Sequence, residues 1–189
     1  AVLHENYLMA WQHRTQAGRV FGLVFDLGTS TLVGKLINLL NGSEVAVISR
    51  LNNQSKYGSN VISRLQYIKE NPKGLFKLTD LIVKDLNSIT QRLLEVEGLA
   101  HEDVFIAVVA GNTTMQHIFL NLNPLGIAGA PFSPVLTDGL ILSAKDAGLR
   151  LHPEAVLYVM PSKSGYIGGD MISTILASSA AEQDDKMIL

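Results

Sequence analysis

VFGLVFDLGTSTLVGKLINLLNGSEVAVISR, from Val20 to Arg50, decides how the rest of the chain is read. A nearly all-apolar, β-prone run ends in Asp26, turns on Gly28, passes through Thr29, Ser30 and Thr31, and becomes apolar again. VFGLVFDL predicts a strand buried on both faces. TLVGKLINLL predicts a second strand. Asn41-Gly42-Ser43 predicts a hairpin turn, because Asn41 and Gly42 readily take positive φ. EVAVISRLN predicts a third strand. Together they make an antiparallel three-strand meander.

The turn between the first two strands carries the chemistry. A carboxylate and three hydroxyls are poor core material, and they suit a turn that faces a polyanion and its metal. Backbone amides in such a turn converge on a phosphate oxygen. Gly28 lets the backbone approach closely, since no Cβ stands in the way. The hydroxyls of Thr29, Ser30 and Thr31 can donate to phosphate oxygens. Asp26, at the strand end, can hold Mg²⁺ through water, because that ion dehydrates reluctantly. The same residues could instead satisfy only the turn's own backbone, and spacing alone leaves both open. The loop is not a Walker A motif, since G-x-x-x-x-G-K-[ST] is absent.

Composition bounds the rest. The chain has 189 residues, 47% apolar and 17% charged, with a formal net charge of -2. That suits a soluble, well-buried chain with one sizeable core, or one domain plus part of another. It predicts no preference for nucleic acid or membrane. Asp26 and Lys35 interrupt the best apolar run before it reaches the roughly 18 residues of a membrane span. The cysteine count is zero. That excludes disulfides, thiol catalysis and an iron–sulfur cluster within this segment, and it fits a cytoplasmic protein. AVLHENYL at the start and DDKMIL at the end, the latter like the first residues of a buried strand, give the expectation of a segment from a longer protein.

Helices follow the meander. Ser59 is placed to cap SNVISRLQYIKEN, with Val61, Ile62, Leu65 and Ile68 on one face and Arg64 exposed or on a partner surface. Asn71-Pro72-Lys73-Gly74 breaks the helix. LFKLTDLIVKDLNSITQRLLEVEG then places Leu78, Leu81, Ile82, Leu86, Ile89, Leu93 and Val96 at helical spacing until Gly98. VFIAVVAGN predicts another buried strand, and TTMQHIFLNL a further helix capped by Asn112 or Thr113. Gly111 and Asn112 stand at a strand's carboxyl end, where open α/β sheets bind ligands. His117, one turn later, suits packing better than catalysis. Asn123 to Pro153 is predicted as an irregular crossing segment, VLYVMP as a short strand, and SGYIGGDMISTILA as a glycine-rich turn entering a helix near Asp170. The order is α/β with a mixed sheet.

GLVFDLGTST, YGSNVISRLQYIKENP, VVAGNTTMQHIFL, APFSPV and PSKSGYIGGDMISTILA, in that order, resemble the reductive activators of corrinoid proteins. These form a branch of the sugar kinase/heat-shock chaperone/actin superfamily, and the resemblance covers about Val20 to Leu189. It implies an actin-like (RNase H-like) ATPase fold whose second subdomain is incomplete here. The divisions expected are 1–19 as the tail of an upstream domain or linker, 20–128 as the first ATPase subdomain, and 129–189 as a crossing segment and the start of the second. Asp26, Gly28, Thr29, Ser30 and Thr31 match the family's first phosphate loop, with Ser30 where a threonine is usual. Gly168, Gly169 and Asp170 match the start of the helix that crosses between the two halves. Close packing at a hinge is the favoured role of that glycine pair. The second phosphate loop and the adenosine segment would follow Leu189, so weak or no ATP binding is expected of this chain alone.

The resemblance further implies ATP and Mg²⁺ as cofactors, a [2Fe–2S] cluster in a missing domain of the parent protein, a corrinoid protein as partner, and a homodimer. Such proteins restore a corrinoid oxidised to Co(II) by passing it an electron, with ATP helping to drive the transfer. The rival expectation is a non-hydrolysing module that uses the same fold for dimerisation or partner docking. A small-molecule kinase ranks last, since nothing resembles a sugar-binding segment.

Overall fold

The computed structural model describes residues 2–4, 7–10 and 18–178. Strands β1 (Val2–His4) and β2 (Tyr7–Ala10) pair with each other as an antiparallel hairpin. The polar connector after them, and the strand expected at DDKMIL, fall largely or wholly outside the described residues.

The fold is mixed α/β around a six-stranded sheet. Its strands are β3 (Phe21–Leu27), β4 (Thr31–Asn38), β5 (Glu44–Leu51), β6 (Val104–Gly111), β7 (Leu140–Ser143) and β8 (Val156–Val159). Their spatial order is β5-β4-β3-β6-β8-β7. β3, β6 and β8 run parallel, while β4, β5 and β7 are antiparallel to their neighbours. The meander stands as expected, with Gly42 alone supplying positive φ in its hairpin. The helices are α1 (Val61–Glu70), α2 (Gly74–Glu97), α3 (Thr113–Phe119) and α4 (Gly169–Ala177).

Strand alternation sets the core. Phe21, Leu23, Phe25 and Leu27 of β3 are buried, with Leu32 and Leu36 of β4, Ala107 and Val109 of β6, and Leu157 and Val159 of β8. Leu78, Ile82, Leu86, Ile89 and Leu93 of α2 complete the same cluster. Each fully buried side chain of this kind stabilises the fold by roughly 1.5–3 kcal/mol. Val24 is 36% exposed and Asp26 is exposed too, so β3 is not buried on both faces. An apolar run cannot reveal that only one face is fully covered; the burial alternates with the period of two that a pleated strand imposes.

Several local expectations change. Asn60, not Ser59, caps α1: its Oδ1 accepts from the Ser63 amide while Ser63 Oγ accepts from the Asn60 amide, a reciprocal capping box. Ile62 is 78% exposed, and Arg64 takes its place on the buried face beside Leu65 and Ile68. The 61, 64, 65, 68 spacing is the true helical stripe. Val96 lies exposed in the last turn of α2, where Gly98 ends the helix in the left-handed conformation. The supposedly irregular 123–153 segment contains β7, a four-residue edge strand with one hydrogen-bonded neighbour.

His117 is buried in α3. Its Nδ1–H donates to the Thr113 carbonyl at 2.7 Å, and its Nε2 accepts from the amides of Val135 and Leu136. It is a neutral clip that holds the proline-rich segment to α3.

Burial lowers the His117 pKa, against a smaller opposing effect from the Thr113 carbonyl. A depressed histidine leaves the unfolded chain with more bound protons below about 6.5, so stability falls as pH drops through that value. His117→Phe should flatten that slope in thermal unfolding scans between about pH 5 and 7, at a cost of about 1–3 kcal/mol for the orphaned amides. A second test concerns Gly34, where an added Cβ would stand 2.3 Å from Ile89 Cγ2 and 3.2 Å from the Phe25 ring. Gly34→Ala should lower the denaturant midpoint by about 1–3 kcal/mol of stability, with partial recovery in the Gly34→Ala, Ile89→Ala double variant.

Candidate functional site

β3 and β6 lie parallel, with Leu27 paired to Gly111, so their carboxyl ends stop at the same level. The 28–31 loop and Asn112 therefore emerge side by side. Gly28 makes the loop tight, because a Cβ there would lie 2.3 Å from the Thr31 carbonyl oxygen. Asn112 caps α3 by accepting from the Met115 amide, and its Nδ2 donates to Thr29 Oγ1 at 3.2 Å.

The loop is held from behind through its carbonyl groups. Asn52 Nδ2 donates to the Gly28 carbonyl at 3.0 Å, and the Asn52 amide donates to the Ser30 carbonyl at 2.9 Å. Arg64 Nη2 donates to the Thr29 carbonyl. With the three carbonyls turned inward, peptide geometry sends the amides that follow them outward. The amides of Thr29 and Ser30 find no acceptor among the described residues. Outward amides in succession form a concavity suited to an anion.

The third element is the start of α4. A Cβ at Gly168 would stand 2.5 Å from Asn112 Cα and 2.6 Å from the Gly111 carbonyl oxygen. A Cβ at Gly111 would stand 2.8 Å from Leu27 Cβ. The absence of side chains at these two positions lets three chain segments meet. Gln116 then locks α4 in place: its Nε2 donates to the Met160 carbonyl at 2.6 Å, and its Oε1 accepts from the Gly169 amide at 3.4 Å.

Asp170, in the first turn of α4, comes close enough to Asp26 for their charges to interact. The Asp26 carboxyl is raised above 3.8, first by loss of hydration where neighbouring atoms crowd it and second by the Asp170 charge. A carboxylate whose ionised form is opposed by a second negative charge favours a cation beside it. Among the described residues no group of three or more His, Cys, Asp or Glu could hold a metal. Any ion here would therefore keep several waters, as Mg²⁺ does.

The structure brings together Asp26, Gly28, Thr29, Ser30, Gly111, Asn112, Gly168, Gly169 and Asp170. Thr31 begins β4 with its side chain exposed and makes none of the bonds that tie the loop to Asn112. A hollow of about 500 Å³ between Tyr57, Tyr67 and Lys73 contains none of these residues. Sequence reading missed Asn52, Gln54 and Arg64, all fully buried behind the loop. For Arg64 the signal was available, since it shares the i, i+3, i+4, i+7 stripe with Val61, Leu65 and Ile68. Placing it on the surface was wrong: its guanidinium also donates to the Gly58 carbonyl, Gln54 Oε1 and Met115 Sδ.

Comparison with known proteins gives one consistent result. Residues 21–183 match the family described as the RACo middle region. The chain is 33% identical over 170 residues to the corrinoid activation enzyme RamQ of Eubacterium limosum, covering 90% of this chain and 28% of that protein. A solved structure of a reductive activator for corrinoid, iron–sulfur protein superposes with a TM-score of 0.87 at 36% identity, over 89% of this chain and 27% of the other. The chain thus spans little more than a quarter of the length of either relative. A match along nearly the whole six-stranded sheet and its loop makes this chain a member of the RACo middle region family.

Proposed function

We propose that this chain is the phosphate-gripping part of the ATPase region of a reductive activator of corrinoid proteins, with an actin-like (RNase H-like) ATPase fold. One observation carries the reading: the carbonyls of Gly28, Thr29 and Ser30 are tied inward while the Thr29 and Ser30 amides open outward, beside two acids that repel each other. Two relatives matching about nine-tenths of the chain, named for corrinoid activation, support the substrate class. Since β7 and β8 complete the sheet begun by β3, we draw the first subdomain through about residue 160, beyond the 128 expected from sequence.

The donor set suits Mg²⁺–ATP. Bound there, the nucleotide supplies the free energy of phosphoanhydride cleavage. The Thr29 and Ser30 amides bind phosphate oxygens, and Asn112 fixes the rotamer of the Thr29 hydroxyl that joins them. Asp26 and Asp170 hold the metal through its waters, and Gly168 and Gly169 let α4 approach the loop. Ser30 and Thr31 face solvent at the loop's outer edge, where a closing second wall would meet them. With no cysteine, the chain offers no ligands for a [2Fe–2S] cluster, so the electron source of the parent protein lies outside it. The partner is a corrinoid protein, and the reduced product is its Co(I) form. A homodimer in the cytoplasm is the assembly we propose; among the described residues no helix is long and apolar enough to cross a membrane.

The test uses the complete protein. Asp26→Ala should cut Mg²⁺-dependent ATP hydrolysis by on the order of 10²–10³-fold, and an unchanged rate would remove the loop from the mechanism. Corrinoid-protein binding indifferent to nucleotide in the wild type would point to docking without hydrolysis. Because the fold raises the Asp26 pKa, this carboxylate in its ionised form works against folding, and protons compete with the metal as pH falls through that raised pKa. Asp26→Asn should therefore leave the melting temperature at pH 7 equal or slightly higher, while it weakens the magnesium dependence of nucleotide binding. A clear drop in melting temperature would recast Asp26 as structural.

A further inference from the structure

The Arg64 side chain is 0% exposed, yet every group it bonds is neutral. None of the ion pairs among the described residues includes it. Burial lowers its pKa to about 10, so it stays cationic at neutral pH. A buried cation without an acidic partner is rare, because loss of hydration goes uncompensated.

Its surroundings hold it fixed. Nε donates to the Gly58 carbonyl at 3.0 Å, and Nη1 to Gln54 Oε1 at 3.0 Å, while Gln54 itself is anchored by donating to the Leu78 carbonyl at 2.8 Å. The planar fork thus has one direction left for Nη2, the Thr29 carbonyl. That carbonyl belongs to the same peptide group as the Ser30 N–H, which opens to the outer side of the loop. A cation on the oxygen of a peptide strengthens the donor at its nitrogen, as linked hydrogen bonds polarise one another.

We propose that Arg64 is a positioning residue for polyphosphate: its buried charge, relayed through the Thr29–Ser30 peptide, favours nucleotides in proportion to the negative charge they bring to the loop. The counter-ion that no described residue supplies is then the phosphate tail, with one peptide plane between the charges. This rests on the nucleotide reading above. A purely structural arginine would tie α1 to the loop equally well for any ligand.

The experiment measures ATP, ADP and AMP binding by calorimetry with Mg²⁺, using the complete protein and its Arg64→Gln, Arg64→Met and Arg64→Lys variants. Arg64→Gln keeps a donor but no charge. It should weaken ATP by about tenfold to a hundredfold, the range for one hydrogen bond to a charged group. AMP should change by less than about threefold, with ADP between. Arg64→Lys should retain most of the ATP-over-AMP preference. Equal losses for all three nucleotides, or unchanged ATP affinity in a folded Gln or Met variant, overturn the proposal. Should both neutral variants fail to fold, a folded Lys variant that has lost the ATP-over-AMP preference overturns it, and one that retains it supports it. Failure is separable from that of the underlying reading. A wild-type protein that binds ATP, and weakens in Asp26→Ala, alongside indifferent Arg64 variants sinks only the arginine's role; no ATP binding by the wild type sinks both.

Discussion

The loop between β3 and β4 can face outward with its amides only because its carbonyls have somewhere else to go. Asn52, through its side chain and its amide, and Arg64 take the carbonyls of Gly28, Thr29 and Ser30, and neighbouring polar groups hold those two residues in place. Asn52 is buried and also accepts from the Gln54 amide, which starts a short helical turn over Asn53–Tyr57. Asp85, buried on α2, accepts from the amide and the side chain of Asn53. A continuous polar layer therefore lies between the apolar core and the loop. Each bond adds about 0.5–1.5 kcal/mol net, but an acceptor left alone inside costs about 1–3 kcal/mol. Such a layer is stable only when fully satisfied, which makes the loop's orientation an all-or-none property of the whole end of the sheet.

The glycines solve a different problem, that of proximity. Leu27, Gly111 and Gly168 belong to β3, β6 and the entry to α4, and their backbones meet at distances no Cβ would allow. The meeting puts a helix start, a strand-end loop and a helix cap within one hydrogen-bonded cluster. Gln116 makes the α4 entry rigid relative to β8 through its two opposed bonds to Met160 and Gly169. Loop and helix are thereby positioned by the paired strands of the sheet.

Much of this was legible in the sequence, and what was not has physical causes. Meander, long α2 and its Gly98 stop, β6, and the Asn112 cap all follow from local periodicity and capping chemistry, which act within a few residues. The one-sided burial of β3 was not legible, because a pattern of apolar residues does not say which face another element covers. β7 escaped because four residues on an edge give too short an alternation against neighbouring glycines and prolines. The polar layer escaped for a deeper reason. Asn52, Gln54 and Arg64 are polar types that sequence reading assigns to the surface, and only the meeting of α1 with a loop 35 residues earlier turns them inward. The pairing of Asp26 with Asp170 likewise joins positions far apart in the chain, with no local trace.

Charge is distributed across the loop in a way that a neutral scaffold would not need. Behind it sits a guanidinium with no acid among its described hydrogen-bond partners; in front sit two carboxylates with no base among the groups that shift Asp26. Each arrangement is unfavourable alone, and no ion pair among the described residues joins Arg64 to either acid. A polyanion on the outward amides offsets the first, and a divalent cation between the acids offsets the second. The two acids ride on different elements, Asp26 on β3 and Asp170 on α4. Their repulsion opposes the packing of those two elements, and a cation would relieve it. In the proposed function, nucleotide and metal therefore act at one place, the meeting of the first turn of α4 with the end of β3. A ligand shifts a two-state equilibrium only by its differential affinity for the two states. Here that difference has a definite origin, in a like-charge pair that is unfavourable without a cation and favourable with one.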